Sequence, residues 1–396
     1  MALVAEQPAA RRPRPVLLAT LLALVAAVLG ALLVAPGSAS AEGVTGEVTV
    51  YRNAVTEGDG TRTPDIISTS ANNAVVAWRE GTTAAVISKP GARVVDRGYI
   101  RYSYTTDGGA HWSRPQTLAQ ETSEYAWHYV VLYQADNEIF AYLGRTSAAE
   151  SNNGLPINAV VAKRSTDEGH TWQDFTVNMP LDLDTTDDTG PGLGNLALAG
   201  RPVQLADGTH VMPYWASGRK NGALYSKDLV TWTAGTPAPA NAEGYLAGEP
   251  QLVVSQDKPD TLLMVARNTP PSGGTKKYAL TATSTNGGKS WTPFALDTNV
   301  PGYDSKVYFT KDSTGRYLTI YNTADDKLTL NYKVKTPGNS WRAAKFFADG
   351  AAETTGDGAG WDRYPMADEY APGKFFVVWE HDTSRIKVNK LDISDT

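Results

Sequence analysis

Short apolar runs alternate with polar, turn-forming stretches over most of the chain, and helical periodicity is nearly absent. The runs are rich in β-branched and aromatic residues, and Gly, Pro, Asn and Asp separate them, which is the pattern of β-strands joined by turns. The clearest runs cover residues 74–78, 138–143, 210–215, 261–266, 317–321 and 375–379. This pattern predicts an all-β protein without a break that would indicate a second domain.

A specific turn motif recurs between these runs. One full copy is STDEGHTW at residues 165–172, in which Asp167 can fold its carboxylate onto backbone N–H groups and Gly169 can take a positive φ. Similar turns occupy residues 105–112 and 284–291, and looser copies occupy 226–232 and 336–341. Their tryptophans stand at positions 112, 172, 232, 291 and 341. A period of roughly 50 to 60 residues suits a propeller blade of four strands.

The repeat resembles the Asp-box of sialidases and of other proteins with the same propeller fold. One apolar run precedes each of the five boxes and a sixth lies near the C-terminus, so the resemblance implies a six-bladed β-propeller. The last segment, 360–393, is one strand short, and we expect residues 47–51 to supply the strand that closes the ring. The alternative is five blades and an irregular tail. Because the box is structural, it does not identify a substrate.

Residues 1–41 have the pattern of a secretory signal peptide. Three arginines lie between positions 11 and 14, residues 16–34 carry no charge, and the small residues at 39–41 offer a cleavage site. We therefore expect a secreted protein whose mature part, residues 42–396, is one propeller. The alternative is an uncleaved membrane anchor, because the apolar run is almost long enough to span a bilayer.

Charge and cysteine content exclude several classes of function. The formal net charge is −6, and −8 without the leader, which argues against nucleic acid or an anionic membrane as a partner. The chain has no cysteine, so disulfides and thiolate chemistry are excluded, and 10 tryptophans and 19 tyrosines can supply a large core. The five histidines are scattered and form no metal-binding motif. We expect a monomer without a metal or cofactor.

The first predicted blade resembles the substrate-binding part of the exo-sialidase family, and the likeness extends over nearly all of the mature chain. TRTP at 61–64 is similar to the family's Arg-Ile-Pro opening, which implies that Arg62 is the first of three arginines that grip the substrate carboxylate. A planar guanidinium suits this task because it donates two parallel hydrogen bonds. Arg79 resembles a further arginine near the sugar, with an ion pair to Glu80 as the alternative. Asp96 resembles the family's acid/base aspartate.

The fourth predicted blade carries the clearest match. GEPQLV at 248–253, followed by a strand that ends in Arg267-Asn268, resembles the family's Glu-x-Gln motif and the Arg-Asn after it. By this resemblance Glu249 is the base that activates the nucleophile, and Arg267 is the second carboxylate-binding arginine. The alternative is a buried Glu–Arg pair that serves structure. Glu243 is the nearest competitor for the role of Glu249.

The sixth predicted blade resembles the nucleophile region of the family. WDRYP at 361–365 precedes a strand that ends in Trp379-Glu380, and the resemblance makes Tyr364 the nucleophile and Glu380 its supporting partner. Sialic acid has a carboxylate on its anomeric carbon, which would repel a carboxylate nucleophile. A neutral phenol approaches freely and loses its proton to Glu249 as it attacks. The alternative is an ordinary packed tyrosine.

This sequence has a lysine where the family has its third carboxylate-binding arginine. Lys327 aligns with it, and a lysine keeps the charge but lacks the two-pronged geometry of a guanidinium. Asp325 and Asp326 lie beside it and weaken an anion site. Arg316 lies in a predicted turn and is not expected to substitute.

These resemblances imply a secreted, retaining exo-sialidase that hydrolyses terminal sialic acids, with sialylated or other terminal-sugar glycans as partners. A second possibility is an enzyme of the same fold that acts on another sugar, as the related exo-arabinanases do, with Glu249 working beside a second carboxylate. A third is a non-catalytic glycan-binding propeller, which needs no contact between Tyr364 and Glu249.

Overall fold

A computed structural model describes residues 43–53, 61–81, 98–147, 157–180, 196–216, 220–258, 261–324, 327–353 and 358–396. Its regular elements are all β-strands, which form six antiparallel sheets. The predicted all-β, six-bladed propeller is therefore confirmed. No helix that is long and apolar enough to cross a bilayer occurs in this described part of the chain.

Each blade is a sheet of four strands, except that the first strand of blade 3 is split into two short pieces. The first described strand, β1 (Val44–Arg52), belongs to the last blade. Blade 1 contains β2 (Thr61–Ser68), β3 (Ala74–Gly81), β4 (Gly98–Thr105) and β5 (Gln116–Ala119). Blade 2 contains β6 (Tyr125–Ala135), β7 (Glu138–Ser147), β8 (Ile157–Ser165) and β9 (Gln173–Phe175). Blade 3 contains β10 (Ala197–Leu198), β11 (Val203–Gln204), β12 (His210–Ala216), β13 (Lys220–Ser226) and β14 (Thr233–Ala234).

The second half of the ring follows the same plan. Blade 4 contains β15 (Leu246–Val254), β16 (Leu262–Thr269), β17 (Tyr278–Ser284) and β18 (Ala295–Pro301). Blade 5 contains β19 (Tyr308–Lys311), β20 (Tyr317–Asn322), β21 (Leu330–Lys335) and β22 (Lys345–Ala348). Blade 6 contains β23 (Asp362–Ala371), β24 (Lys374–His381) and β25 (Arg385–Asp392), and β1 completes it.

The ring closes as the sequence predicts. β1 pairs antiparallel with β25, from Val44 opposite Leu391 to Arg52 opposite Arg385. The sheet order of the last blade is β1-β25-β24-β23, so its outermost strand comes from the start of the chain. This pairing excludes five blades with an irregular tail, and it removes a free edge that the three-stranded sheet would otherwise expose.

The hydrophobic core lies between neighbouring blades. The six apolar runs found in the sequence form the second strands β3, β7, β12, β16, β20 and β24. These strands are buried on both faces, because an adjacent blade covers each face. Trp78 of blade 1, for example, belongs to one cluster with Tyr332 of blade 5 and with Phe376 and Trp379 of blade 6.

The box turns join the third and fourth strands of the blades. Asp167 accepts the backbone N–H of Thr171 at 2.9 Å, and Trp172 donates its indole N–H to the carbonyl of Gly169 at 3.1 Å. The first strands are innermost, and the bends before their first residues lie at the end of each blade opposite to the boxes. Candidate site residues at the starts of first strands therefore meet on the face away from the boxes.

Candidate active site

The first strands of blades 1, 4 and 6 share one local distortion. In each, the pairing register with the second strand shifts by a bulge just after the strand begins. The residue at the bulge has a positive φ and precedes a proline; the three are Thr63 (φ 47°), Glu249 (φ 51°) and Tyr364 (φ 54°). A positive φ costs a residue other than glycine roughly 1–3 kcal/mol. A bulge re-aims a side chain, and a following proline has no N–H to leave unpaired.

The three bulge residues line one cavity of about 40 Å³. Every blade contributes to its lining, so the cavity lies on the propeller axis. The remaining lining residues are His128, Tyr129 and Val130 of blade 2, Ala197, Leu198, Ala199 and Trp215 of blade 3, and Lys306 at the start of blade 5. Glu249 and Tyr364, which are far apart in sequence, thus share a cavity.

Tyr364 is a neutral phenol in this setting. Burial raises the pKa of Tyr364 well above its usual value, and the nearby charge of Glu249 raises it further. Glu249 accepts a hydrogen bond from Nη1 of Arg267 at 3.2 Å. Among the described residues, the Tyr364 hydroxyl has no hydrogen-bond partner. The two side chains are therefore neighbours without a direct hydrogen bond, and their chemical roles stay predictions.

Arg267 lies between two carboxylates. It pairs with Glu249 at 3.2 Å and, through Nε, with Asp304 at 3.0 Å. Burial works against its charge, but Glu249 and Asp304 raise the pKa of Arg267 above its usual value. Sequence reasoning did not single out Asp304, which precedes the first strand of blade 5 and has a positive φ of 49°.

Arg62 and Arg79 stand opposite each other on β2 and β3, so two guanidinium groups lie on this side of the axis. Arg79 is only 1% exposed, and its Nε donates to the carbonyl of Trp127 at 3.0 Å. Burial, with Arg62 beside it, lowers the pKa of Arg79 to about 9. Burial together with both arginines lowers the pKa of His128 to about 3, so its imidazole is neutral near pH 7.

Glu380 joins blade 6 to blade 1 behind the cavity. It is 1% exposed, accepts a hydrogen bond from Nε of Arg363 at 2.8 Å, and accepts another from the backbone N–H of Thr63. Glu380 thus connects the bulge of blade 1 to the residue beside Tyr364, and its role as a supporting partner stays a prediction. Sequence reasoning missed Arg363, although it lies inside the WDRYP motif.

Lys327 lies within the same group of charges. Burial and the positive charges of Arg267 and Arg363 lower the pKa of Lys327. Its carbonyl accepts the backbone N–H of Asp362 at 2.9 Å. Arg316 serves structure, because it pairs with Asp312 at 2.7 Å and donates to the carbonyl of Ile393 at 2.7 Å.

Lys306 is a lining residue that sequence reasoning missed. It is 5% exposed and stands just before β19, the first strand of blade 5, as Arg62 and Glu249 stand near the start of theirs. Its position at the start of a first strand was the available signal. The predicted acid/base residue Asp96 lies outside the described residues, as do Asp325, Asp326 and the predicted leader.

A family model described as "BNR repeat-like domain" matches residues 75–371. The chain belongs to the BNR repeat-like family. No curated protein matches the BNR repeat-like chain closely enough to count as a relative.

Several solved structures are similar to this BNR repeat-like propeller. A Dyadobacter fermentans protein of unknown function has a TM-score of 0.66 and 17% identity, covering 89% of this chain and 99% of its own. The NanB sialidase of Streptococcus pneumoniae has a TM-score of 0.62 and 12% identity, with coverage of 88% and 71%. The intramolecular trans-sialidase of Ruminococcus gnavus has a TM-score of 0.59 and 14% identity, with coverage of 91% and 99%. At such identities the likeness concerns the fold alone.

Proposed function

We propose that the protein is a retaining exo-glycosidase that removes a terminal acidic sugar, sialic acid first of all, from glycans. The observation that carries this proposal is the presence of Tyr364 and Glu249 on two matching bulges that line one axial cavity. Strained backbone is retained where the surrounding structure holds it for function. Two such positions that present a phenol and a carboxylate to one cavity suit a tyrosine nucleophile and its base.

In the proposed reaction, the Tyr364 oxygen forms a bond to the anomeric carbon while the glycosidic C–O bond breaks. Glu249 takes the phenolic proton, and a general acid, which the resemblance assigns to Asp96, protonates the departing oxygen. Water then attacks the anomeric carbon of the glycosyl-enzyme and restores Tyr364 with its proton. A neutral phenol suits this step, since burial keeps Tyr364 protonated until Glu249 accepts the proton.

The charges around the cavity favour an acidic sugar over a neutral one. The cations near it are Arg62, Arg79, Arg267, Lys306, Lys327 and Arg363, while Asp304 and Glu380 are each paired with an arginine. Among the described lining residues, Glu249 is the one carboxylate. An exo-arabinanase-like enzyme acts on a neutral sugar and needs no cations beside it, so these positive side chains favour it less. Secretion, which the leader predicts, would bring such an enzyme to glycans outside the cell.

The test compares Tyr364→Phe, Glu249→Gln and the double variant with wild type on a chromogenic sialoside and on a chromogenic arabinoside. Each single variant should lower kcat on the sialoside by at least about 10²-fold, and the double by little more, because a nucleophile and its base act as a unit. Tyr364→Phe should melt like wild type, since Phe keeps the packing. Glu249→Gln and the double variant weaken the pair with Arg267, so their folding is checked by melting before turnover is compared. Near-normal turnover by folded Tyr364→Phe would contradict the mechanism, and a wild type inactive on both sugars would favour a binding protein.

A further inference from the structure

Lys306 differs from the arginines near the axis, because none of the described residues pairs with it. Arg201 pairs with Asp368 at 2.8 Å and Arg363 with Glu380 at 2.8 Å. Within the described ranges, no carboxylate lies within ion-pair distance of Lys306, and no acceptor lies within hydrogen-bond distance. Taking an ammonium out of water without a partner is costly. Such a group is expected where a ligand supplies the missing partner.

The charges around Lys306 are close enough to act on it but not to contact it. Asp65, Glu249 and Glu380 favour its charged form, whereas burial and Arg201 oppose it. Burial is the largest of these effects, and the pKa of Lys306 is lowered. The other titratable groups of the lining, beside Glu249 and Tyr364, are the neutral His128 and the neutral Tyr129. The cavity therefore holds a cationic side chain whose charge the ligand-free protein does not compensate by contact.

The arginine that the resemblance assigns to the carboxylate on blade 4 is already neutralised. Arg267 contacts both Glu249 and Asp304. An anion at Arg267 would meet two carboxylates, whereas an anion at Lys306 would meet an unpaired ammonium. The size of the cavity is also suitable. About 40 Å³ exceeds the roughly 10–15 Å³ that one water needs, so a carboxylate group fits.

We propose that the axial cavity is an anion-binding subsite and that Lys306 holds the carboxylate of the substrate sugar there. The inference rests on the proposed function. In an acidic sugar of the sialic acid type, the carboxylate is attached to the anomeric carbon that Tyr364 attacks, so it must lie beside Tyr364. Lys306 is the cation that lines the same described cavity as Tyr364. Lys306 thus gives the enzyme its preference for the charged sugar, so the carboxylate is not bound by arginines alone.

The test uses the 2,3-unsaturated glycal of N-acetylneuraminic acid and its methyl ester, titrated by calorimetry into the full chain. One charge-assisted hydrogen bond supports a preference of wild type for the acid of at least about tenfold. Lys306→Gln should bind the acid and the ester within about threefold of each other, with the ester bound as in wild type, because only the charged contact is lost. Lys311→Gln, a lysine of the same blade away from the cavity, is the matched control and should keep the acid preference. Lys327→Gln tests the competing position and should also keep most of it.

The ester gives a second readout that a merely structural role would not move. A variant that only loosens the fold should weaken binding of the acid and of the ester alike, whereas loss of the charged contact should weaken binding of the acid alone. If Lys306→Gln melts at a lower temperature than wild type, Lys306→Met is used in its place.

Three results distinguish the role of Lys306 from that of Lys327 and from failure of the proposed function. An acid preference that persists in Lys306→Gln, while wild type binds the acid, would overturn this subsite and leave the proposed function standing. Loss of the preference in Lys327→Gln alone would assign the carboxylate to Lys327 instead. A wild type that binds neither compound would overturn both proposals together.

Discussion

At the scale of single residues, the chemistry of the site follows from a few side chains that tertiary packing keeps uncharged or unpaired. Tyr364 and His128 are both neutral near pH 7 because burial opposes their charged forms. Among the described residues Lys306 has no ion-pair partner, whereas Arg267 has two. The resemblance implied cations at Arg62, Arg267 and Lys327 from their motifs. It contained no signal for which of them would already be neutralised by a carboxylate.

His128 predicts a pH dependence of folding stability. Its pKa is about 3 in the folded protein and about 6.5 in an unfolded chain. Below pH 6.5 the unfolded chain therefore binds a proton that the folded state does not, so stability falls as the pH drops. Between pH 7 and pH 5, wild type should lose about 2 kcal/mol more than His128→Gln. Urea unfolding at the two pH values measures the difference, and His170→Gln, in a box turn, should behave like wild type. Equal losses in wild type and His128→Gln would contradict the buried, neutral assignment.

At the scale of elements, the box turns and the strand bulges have different roles. The box turns hold the outer strands, and their sequence alone was enough to find them. The bulges at Thr63, Glu249 and Tyr364 aim the functional side chains, and their common mark is a proline at the next position. A residue before proline is biased away from the helical region, and a strand proline is confined to edges, ends and bulges. Three such prolines at the starts of first strands were a readable signal for the site.

Gly169, in the box turn of blade 2, packs closely against the neighbouring blade. Its φ is +85°, and an added Cβ would lie 2.1 Å from Cγ2 of Val75 in the neighbouring blade. Gly208 has a similar φ of +79° with open space around it, so it is a matched control. Gly208→Ala should cost about 1 kcal/mol of unfolding free energy from the backbone alone. Gly169→Ala should cost a further ~1–3 kcal/mol from the clash. Equal melting temperatures of the two variants would show that the blades separate enough to admit the methyl group.

At the scale of the whole molecule, a buried network ties several blades together on the axis. Arg201 of blade 3 pairs with Asp368 and donates to the carbonyl of Ala367, both at 2.8 Å in blade 6, and it also contacts Asp65 of blade 1. Asp65 in turn accepts the backbone N–H of Leu132 in blade 2 at 2.8 Å. One guanidinium thus compensates a buried carboxylate, Asp65, and a half-buried one, Asp368, from different blades.

Removal of that guanidinium should destabilise the ring as a whole. Arg201→Met leaves the buried carboxylate of Asp65 and the half-buried carboxylate of Asp368 without their guanidinium, and should cost about 3–5 kcal/mol. Arg164→Met breaks an exposed pair with Glu138 at 3.5 Å and should cost no more than about 1 kcal/mol. Combining Arg201→Met with Asp368→Asn should recover part of the loss. Chemical unfolding of the variants measures these values, and a cost for Arg201→Met as small as that of Arg164→Met would count against the network.

The sequence by itself determined the strand-forming runs, the box turns, the number of blades and the closing of the ring by β1. Each of these depends on local composition, on a period along the chain, or on the number of strands that each blade requires. Only the tertiary structure decided that Glu249 and Tyr364 share a cavity, that Arg267 is paired twice, and that Lys306 is buried with no ion-pair partner in the described part of the chain. Those facts depend on the direction in which each bulge turns a side chain and on which blades meet at the axis. Neither is encoded within a single blade, because the contacts form only when all six close into a ring.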